Sequence, residues 1–156
     1  MKSNIDKAME KFLSGYNCAQ SVLFAHAGDV GIDPEIALKV ATGFGAGIAR
    51  RGEMCGALTG GILAISLKFG RGNGQDRTAT DRTYDKAQEL IREFEKQQGS
   101  TMCLVLVDGC RFNTSEGREK FKKQDLLHTR CVGCVRTVCE ILPSLLKDGT
   151  ANLQTT

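Results

Sequence analysis

Seven cysteines stand in a chain of 156 residues that carries only two histidines and no tryptophan. Thiolates attack disulfides, ligate soft metals and hold iron–sulfur clusters, so sulfur is the first place to look for chemistry here. An odd number excludes a fully paired intramolecular disulfide set, and a chain of this length buries a core without such staples. Four of the cysteines share one local setting. Cys18 follows the cap candidate Asn17, and Cys55 follows Gly52-Glu53-Met54. Cys103 stands three residues after Ser100, and Cys131 stands two after Thr129. Each is expected in the first turn of a helix, where unpaired N–H groups and the helix dipole favour a thiolate. Four such placements on four helices predict that helix starts bring Cys18, Cys55, Cys103 and Cys131 together around one anionic centre. The competing reading is that they are inert, since a free cysteine also serves as a small buried hydrophobe.

The other three cysteines have weaker claims. Cys134 lies one turn beyond Cys131 and completes the only C-x-x-C in the chain. A thioredoxin-type use of that motif needs a preceding strand, which the pattern lacks, so Cys134 is an auxiliary ligand candidate. Cys110 falls in an irregular stretch and Cys139 on a core face. His128-x-x-Cys131-x-x-Cys134 has metal-ligand spacing, although a capping or surface role for His128 is simpler. His26 reads as packing or surface.

Three chemistries suit four converging thiolates. An iron–sulfur cluster takes four cysteine ligands, and its potential is tuned by hydrogen bonds to sulfur. The compact C-x₂-C-x₂-C run is absent, so a cluster site would be assembled from distant segments. A dithiol–disulfide centre, for example between Cys18 and Cys55, needs no cofactor. A Cys₄ zinc site fits the same ligands, but zinc sites draw theirs in close pairs.

The elements that must position these residues read as helices between short turns. Ser3 caps a first helix with Ile5, Ala8, Phe12 and Leu13 on one face, and Asn17 caps a second that runs through Val22 and His26 to Gly28. Asp33-Pro34 opens a third, ending near Ala41. From Glu53 a central apolar helix runs to about Phe69, with Gly56, Gly60 and Ala64 as a stripe that lets another helix approach. After the loop Gly70 to Gly74, the longest helix spans Arg77 to Gln98, with Tyr84, Ala87, Leu90, Ile91 and Phe94 inward. Gly99 ends it, and Ser100 caps a short helix from Thr101 to Val107. A further helix is expected after the Asn113-x-x-Glu116 pair. Thr129 caps the last, with Val132, Val135, Val138, Leu142 and Leu145 inward and Pro143 kinking or shortening it. The expectation is an all-α chain: a single compact helical domain of about six to seven helices over residues 1–147, then a flexible tail at 148–156.

These cysteine segments resemble the C_GCAxxG_C_C family of redox-active proteins. The resemblance is carried by Asn17-Cys18-Ala19-Gln20-Ser21-Val22, by Cys55-Gly56-Ala57-Leu58-Thr59-Gly60, by Gly99-Ser-Thr-Met-Cys103, and by Cys131-x-x-x-Val135. It implies an all-helical fold and a redox or cluster role for Cys18, Cys55, Cys103 and Cys131, with Gly56 beside the cofactor or thiol centre. The chain departs from it by carrying three further cysteines.

Composition narrows the remaining classes. Lys plus Arg number 21 against 18 for Asp plus Glu, a net charge of +3, which gives no footprint for nucleic acid or an anionic membrane. The apolar uncharged stretch of the central helix, Met54 to Leu67, is 14 residues, short of the about 20 that span a bilayer. The charged N-terminus is unlike a secretory signal, so a reducing cytoplasm is expected, where surplus cysteines point to metal, cluster or thiol chemistry. Gly43 to Gly47 and Gly47 to Gly52 fail the dinucleotide and P-loop patterns. Arg50 and Arg51 are either an anion pocket beside Cys55 or, more simply, a solvated pair. The expected function is therefore electron exchange with a partner oxidoreductase or carrier, through a cluster or a dithiol. The alternatives are a zinc-binding or metal-sensing module, or a structural protein whose glycine stripe serves packing or a homodimer contact.

Overall fold

The computed structural model describes residues 1–147; the expected tail at 148–156 lies outside the described residues. Among the described residues nine α-helices and no strands are present, in the order α1 (Asn4–Leu13), α2 (Cys18–Ala25), α3 (Ala27–Val30), α4 (Pro34–Ala41), α5 (Gly56–Phe69), α6 (Arg77–Gln98), α7 (Cys103–Leu106), α8 (Ser115–Lys123) and α9 (Val132–Leu145). The all-helical class is as the sequence predicts. The larger number comes from single turns: the second helix breaks at His26, which leaves α3 as a separate four-residue turn.

Local chemistry sets most boundaries. Ser3 caps α1 and Asn17 caps α2, each in a reciprocal capping box with the residue three positions on, Asp6 and Gln20. Asp33 caps α4, with Pro34 at its first position. Gly99 ends α6 in the left-handed conformation at φ 86°. Other boundaries differ from the sequence reading. Thr114, not Asn113, caps α8 through the Gly117 amide. Thr129 caps nothing: its hydroxyl donates to the Asp125 carbonyl, within a wide turn, Leu127–Cys131, that runs straight into α9. Leu13 and Tyr84 point to solvent; Thr83 instead takes the inward place on α6 beside Leu90 and Phe94.

The core is organised around α5, which packs against α2, α6 and α9. The predicted small-residue stripe does this work. A Cβ on Gly60 would lie 2.7 Å from the Ala19 carbonyl of α2, and one on Gly61 would meet Leu90 and Val138 within 3 Å. Only hydrogen at Gly60 lets the two backbones come so close, and only hydrogen at Gly61 leaves room for those side chains. Burial of Val22, Leu23, Leu58, Ile65, Leu90, Phe94, Val135, Val138 and Leu142 completes this main core. A smaller second cluster joins Cys103, Val107, Cys110 and Leu126, with Phe112 and Phe121 packed on it. Among the described residues no helix is long and apolar enough to cross a membrane.

The connection from α4 to α5 is unusual. Ala46, Gly47, Ile48, Ala49 and Arg50 all have φ between 49° and 68°, making a left-handed helical turn. It is held by the Ala49 amide on the Gly43 carbonyl (2.9 Å) and the Glu53 amide on the Gly47 carbonyl (2.9 Å). Each non-glycine residue in that conformation costs about 1–2 kcal/mol, so the surrounding structure must over-determine the turn. It delivers the chain directly to Cys55.

Candidate functional site

Five cysteines line one cavity of about 180 Å³: Cys18, Cys55, Cys103, Cys131 and Cys134. Its other walls are almost wholly apolar, with Phe12, Leu106, Val107, Phe112, Phe121 and Leu127 among them. The cavity lies on the seam between the main core, which holds Cys55 and Cys134, and the second cluster, which holds Cys103. Cys131 packs against both.

Each thiol reaches the cavity by a specific local device. Cys18 is the first residue of α2, placed by the Asn17 cap; the Asn17 side chain also donates to the Thr42 carbonyl at 3.0 Å. Cys55 is the N-cap of α5. The segment before it is extended, not helical: Met54 pairs antiparallel with Met102, so the Cys55 amide donates to the Thr101 carbonyl (2.8 Å) and the Cys103 amide to the Glu53 carbonyl (2.7 Å). This one bridge fixes Cys55 and Cys103 beside each other at the starts of α5 and α7. Gly47 lies so close behind that a Cβ there would sit 2.7 Å from the Cys103 Cβ. Cys131 and Cys134 come one turn apart from the continuous helix of Leu127–Cys131 and α9, and the Cys134 thiol faces the Gln98 Oε1 at 3.8 Å.

The thiols differ in acidity. Cys55 is held below the usual thiol range, chiefly by a hydrogen bond from the Cys134 thiol and further by the Ala57 and Leu58 amides at the start of α5, which outweigh burial. The same hydrogen bond, with burial, pushes Cys134 well up. Cys18 is likewise raised by its hydrogen bond with Cys131, then by burial and by repulsion from the neighbouring thiols. Burial pushes Cys103 up to about 12, helped by Cys55 and Cys131. The expectation that every helix start would favour a thiolate is thus met only at Cys55. The hydrogen bond with Cys131, then burial and repulsion, win at Cys18, and burial with repulsion wins at Cys103; Cys131 lies inside a helix, not at its start.

A family model described as "Putative redox-active protein (C_GCAxxG_C_C)" matches residues 16–145, a span that holds all five of these cysteines. The chain belongs to the C_GCAxxG_C_C family. An uncharacterized protein of Archaeoglobus fulgidus is 32% identical over 139 residues, covering 85% of each chain. No solved structure matches.

In this C_GCAxxG_C_C protein, the four cysteines singled out in the sequence do line one cavity, and Gly56 lines it with them. Cys134 lines it equally, and its C-x-x-C spacing with Cys131 was the signal that could have promoted it. Cys110 is buried in the second cluster and Cys139 in the main core; neither lines the cavity, and burial pushes Cys139 up to about 12. His128 is turned outward onto Asp125 at 2.6 Å, away from the thiols. His26 is wholly buried, its Nδ1 between Asn4 and Asp29, as a packing histidine. Arg51 makes a loose surface pair with Glu53 at 3.9 Å, and Arg50 edges a separate shallow hollow with Thr42 and Gly45. The aromatic walls Phe112 and Phe121 come from the stretch that was least legible in the sequence, around α8.

Proposed function

We propose that this family member works as a dithiol–disulfide redox centre, with Cys55 as the attacking thiolate and Cys134 as its resolving partner. The observation that carries this is the environment of Cys55. Its sulfur sits at the N-cap of α5, lowered by the nearby Ala57 and Leu58 amides, and shares the cavity wall with the Cys134 thiol that lowers it most. A lowered thiol beside a raised one is the arrangement that lets one sulfur attack and the other stay protonated until needed. The Cys55 thiolate attacks one sulfur of a partner disulfide, forming a mixed disulfide and releasing one partner thiolate. Cys134 then loses its proton and attacks Cys55, which forms the Cys55–Cys134 disulfide and releases the second thiolate. Two electrons pass to the partner, and the pair is returned to the dithiol by a reducing partner. Cys18 with Cys131 makes a second close pair.

The cavity itself favours a second reading, an iron–sulfur cluster. Neither thiol pair requires an apolar space of about 180 Å³ between them, whereas a cluster fits a thiol-lined, water-poor chamber. Cys18, Cys55, Cys103 and Cys131 would hold it, and it would supply one-electron transfer. No observation favours the zinc-binding alternative over these two.

One preparation tests both readings. The anaerobically reduced protein is labelled with iodoacetamide between pH 6 and pH 10, and each cysteine is followed by peptide mass spectrometry. Cys55 is expected to label at lower pH than Cys103, and a stoichiometric small disulfide is expected to yield the Cys55–Cys134 linkage. A brown protein with iron and sulfide that are lost in Cys18→Ser would replace the dithiol by the cluster. Inert thiols and unchanged folding in Cys55→Ser would leave only a structural role.

A further inference from the structure

The two thiol pairs are not equivalent in depth. Cys55 and Cys134 are 5% and 2% exposed, whereas Cys18 and Cys131 are only half-buried. The inner pair faces an apolar cavity, so a hydrated, charged partner that approached it would have to shed water without compensation. The outer pair lines the same cavity but is the more open of the two. Two features bring the pairs close together. Cys131 and Cys134 stand one turn apart on one helix, on the side that faces the cavity. Gly56, next in sequence to Cys55, lies so close to α2 that a Cβ on it would be 3.2 Å from the Cys18 Cβ.

Resting on the dithiol reading, we propose that Cys18 and Cys131 form a relay dithiol that carries reducing equivalents from a partner thiol at the surface to the buried Cys55–Cys134 pair. In the relay step Cys131, as a thiolate, attacks Cys134 of the inner disulfide, which frees Cys55 as a thiolate and forms a transient cross-link between the pairs. The second outer thiol displaces it, giving the outer disulfide and the inner dithiol. Two electrons and two protons move inward, and no atom leaves. A partner dithiol, or two molecules of a monothiol, then reduces the outer disulfide. The cavity is left free for a small, uncharged oxidant with a reactive sulfur bond, since a peptide strand does not fit about 180 Å³ of apolar space.

The test uses the full chain, reduced and freed of air. Methyl methanethiosulfonate, small and uncharged, places a methylthio group on Cys55 and releases methanesulfinate; Cys134 then displaces methanethiolate to close the inner disulfide. Glutathione, charged and bulky, is added as reductant, and acid-quenched samples are mapped by mass spectrometry. In the unaltered protein the linkage is expected first at Cys55–Cys134 and then at Cys18–Cys131. In C18S/C131S it stays inner, and glutathione reduction slows by about tenfold or more, as thiolate access is withdrawn. Gly56→Ala keeps every thiol yet pushes α2 away from α5; there both linkages form, but transfer between them slows. Equal glutathione rates in the unaltered and double-variant proteins would overturn the relay while leaving the inner dithiol standing. Failure of the inner linkage to form at all would overturn the dithiol reading and the relay with it.

Discussion

The two hydrophobic clusters that enclose the thiol cavity are built in different ways. The main core is a helix sandwich in which Gly60 of α5 lets the α2 backbone approach on one side, and Gly61 makes room for Leu90 of α6 and Val138 of α9 on the other. The second cluster has four buried side chains and two phenylalanines, Phe112 and Phe121, meeting edge to face at 4.8 Å. One wall of the cavity is therefore held by many packed helices and the other by few contacts. Local opening draws on regions with the least buried apolar surface. The Cys103 side is the wall expected to yield, and the Cys55 and Cys134 side the one that stays fixed.

The largest expected difference between the regions is in stability. Phe94→Ala removes a fully buried ring from the main core and should cost about 3–5 kcal/mol. Phe121→Ala, partly exposed, should cost clearly less but speed the labelling of Cys103. Denaturant unfolding with site-resolved alkylation reads both, and equal costs would remove the contrast. Next comes Gly60→Ala, whose new methyl meets the Ala19 carbonyl and cannot be relieved by a side-chain rotation. A destabilisation of about 1–3 kcal/mol is expected. The α2–α5 seam should loosen in hydrogen exchange while α8 stays unchanged; protection lost everywhere would mean the regions unfold as one.

The smallest effect concerns pH. Burial holds His26 below its ordinary value despite the Asp29 carboxylate, and its Nε2 has no hydrogen-bond partner among the described residues. The unfolded chain therefore binds a proton on this residue at a pH where the folded chain does not. Stability from this group is present above the unfolded value near 6.5 and declines as pH falls through it toward the lower folded value. His26→Gln should flatten that decline between pH 7 and pH 5 in thermal unfolding. An unchanged slope would assign the acid sensitivity elsewhere.

Much of this arrangement was legible in the chain. Ser3, Asn17, Asp33 and Gly99 set helix ends by side-chain and backbone chemistry local enough to read directly. The Gly56, Gly60, Ala64 stripe announced the close helix contact, and the four cysteines singled out do line one cavity with Gly56. Of the caps expected beside them, however, only Asn17 is one: Met102, not Ser100, precedes α7, and Thr129 caps nothing. Local reasoning failed where distant chain decides. Glu53-Met54-Cys55 reads as the start of a helix, but Met102 draws it into an extended pair. Thr129 looks like a cap, but α9 is entered through a wide turn that begins before it.

What the sequence by itself determined, then, is which residues carry the chemistry and which elements hold them: cysteines, caps and glycines act within a turn or two of themselves. Tertiary structure alone decided which sulfurs pair and which is acidic. Those properties depend on the neighbouring thiol, on the loss of water and on the direction of amides brought from elsewhere in the chain. For that reason, four helix-start cysteines that look alike in sequence became one lowered thiol, two raised ones, and a fourth that lies within a helix.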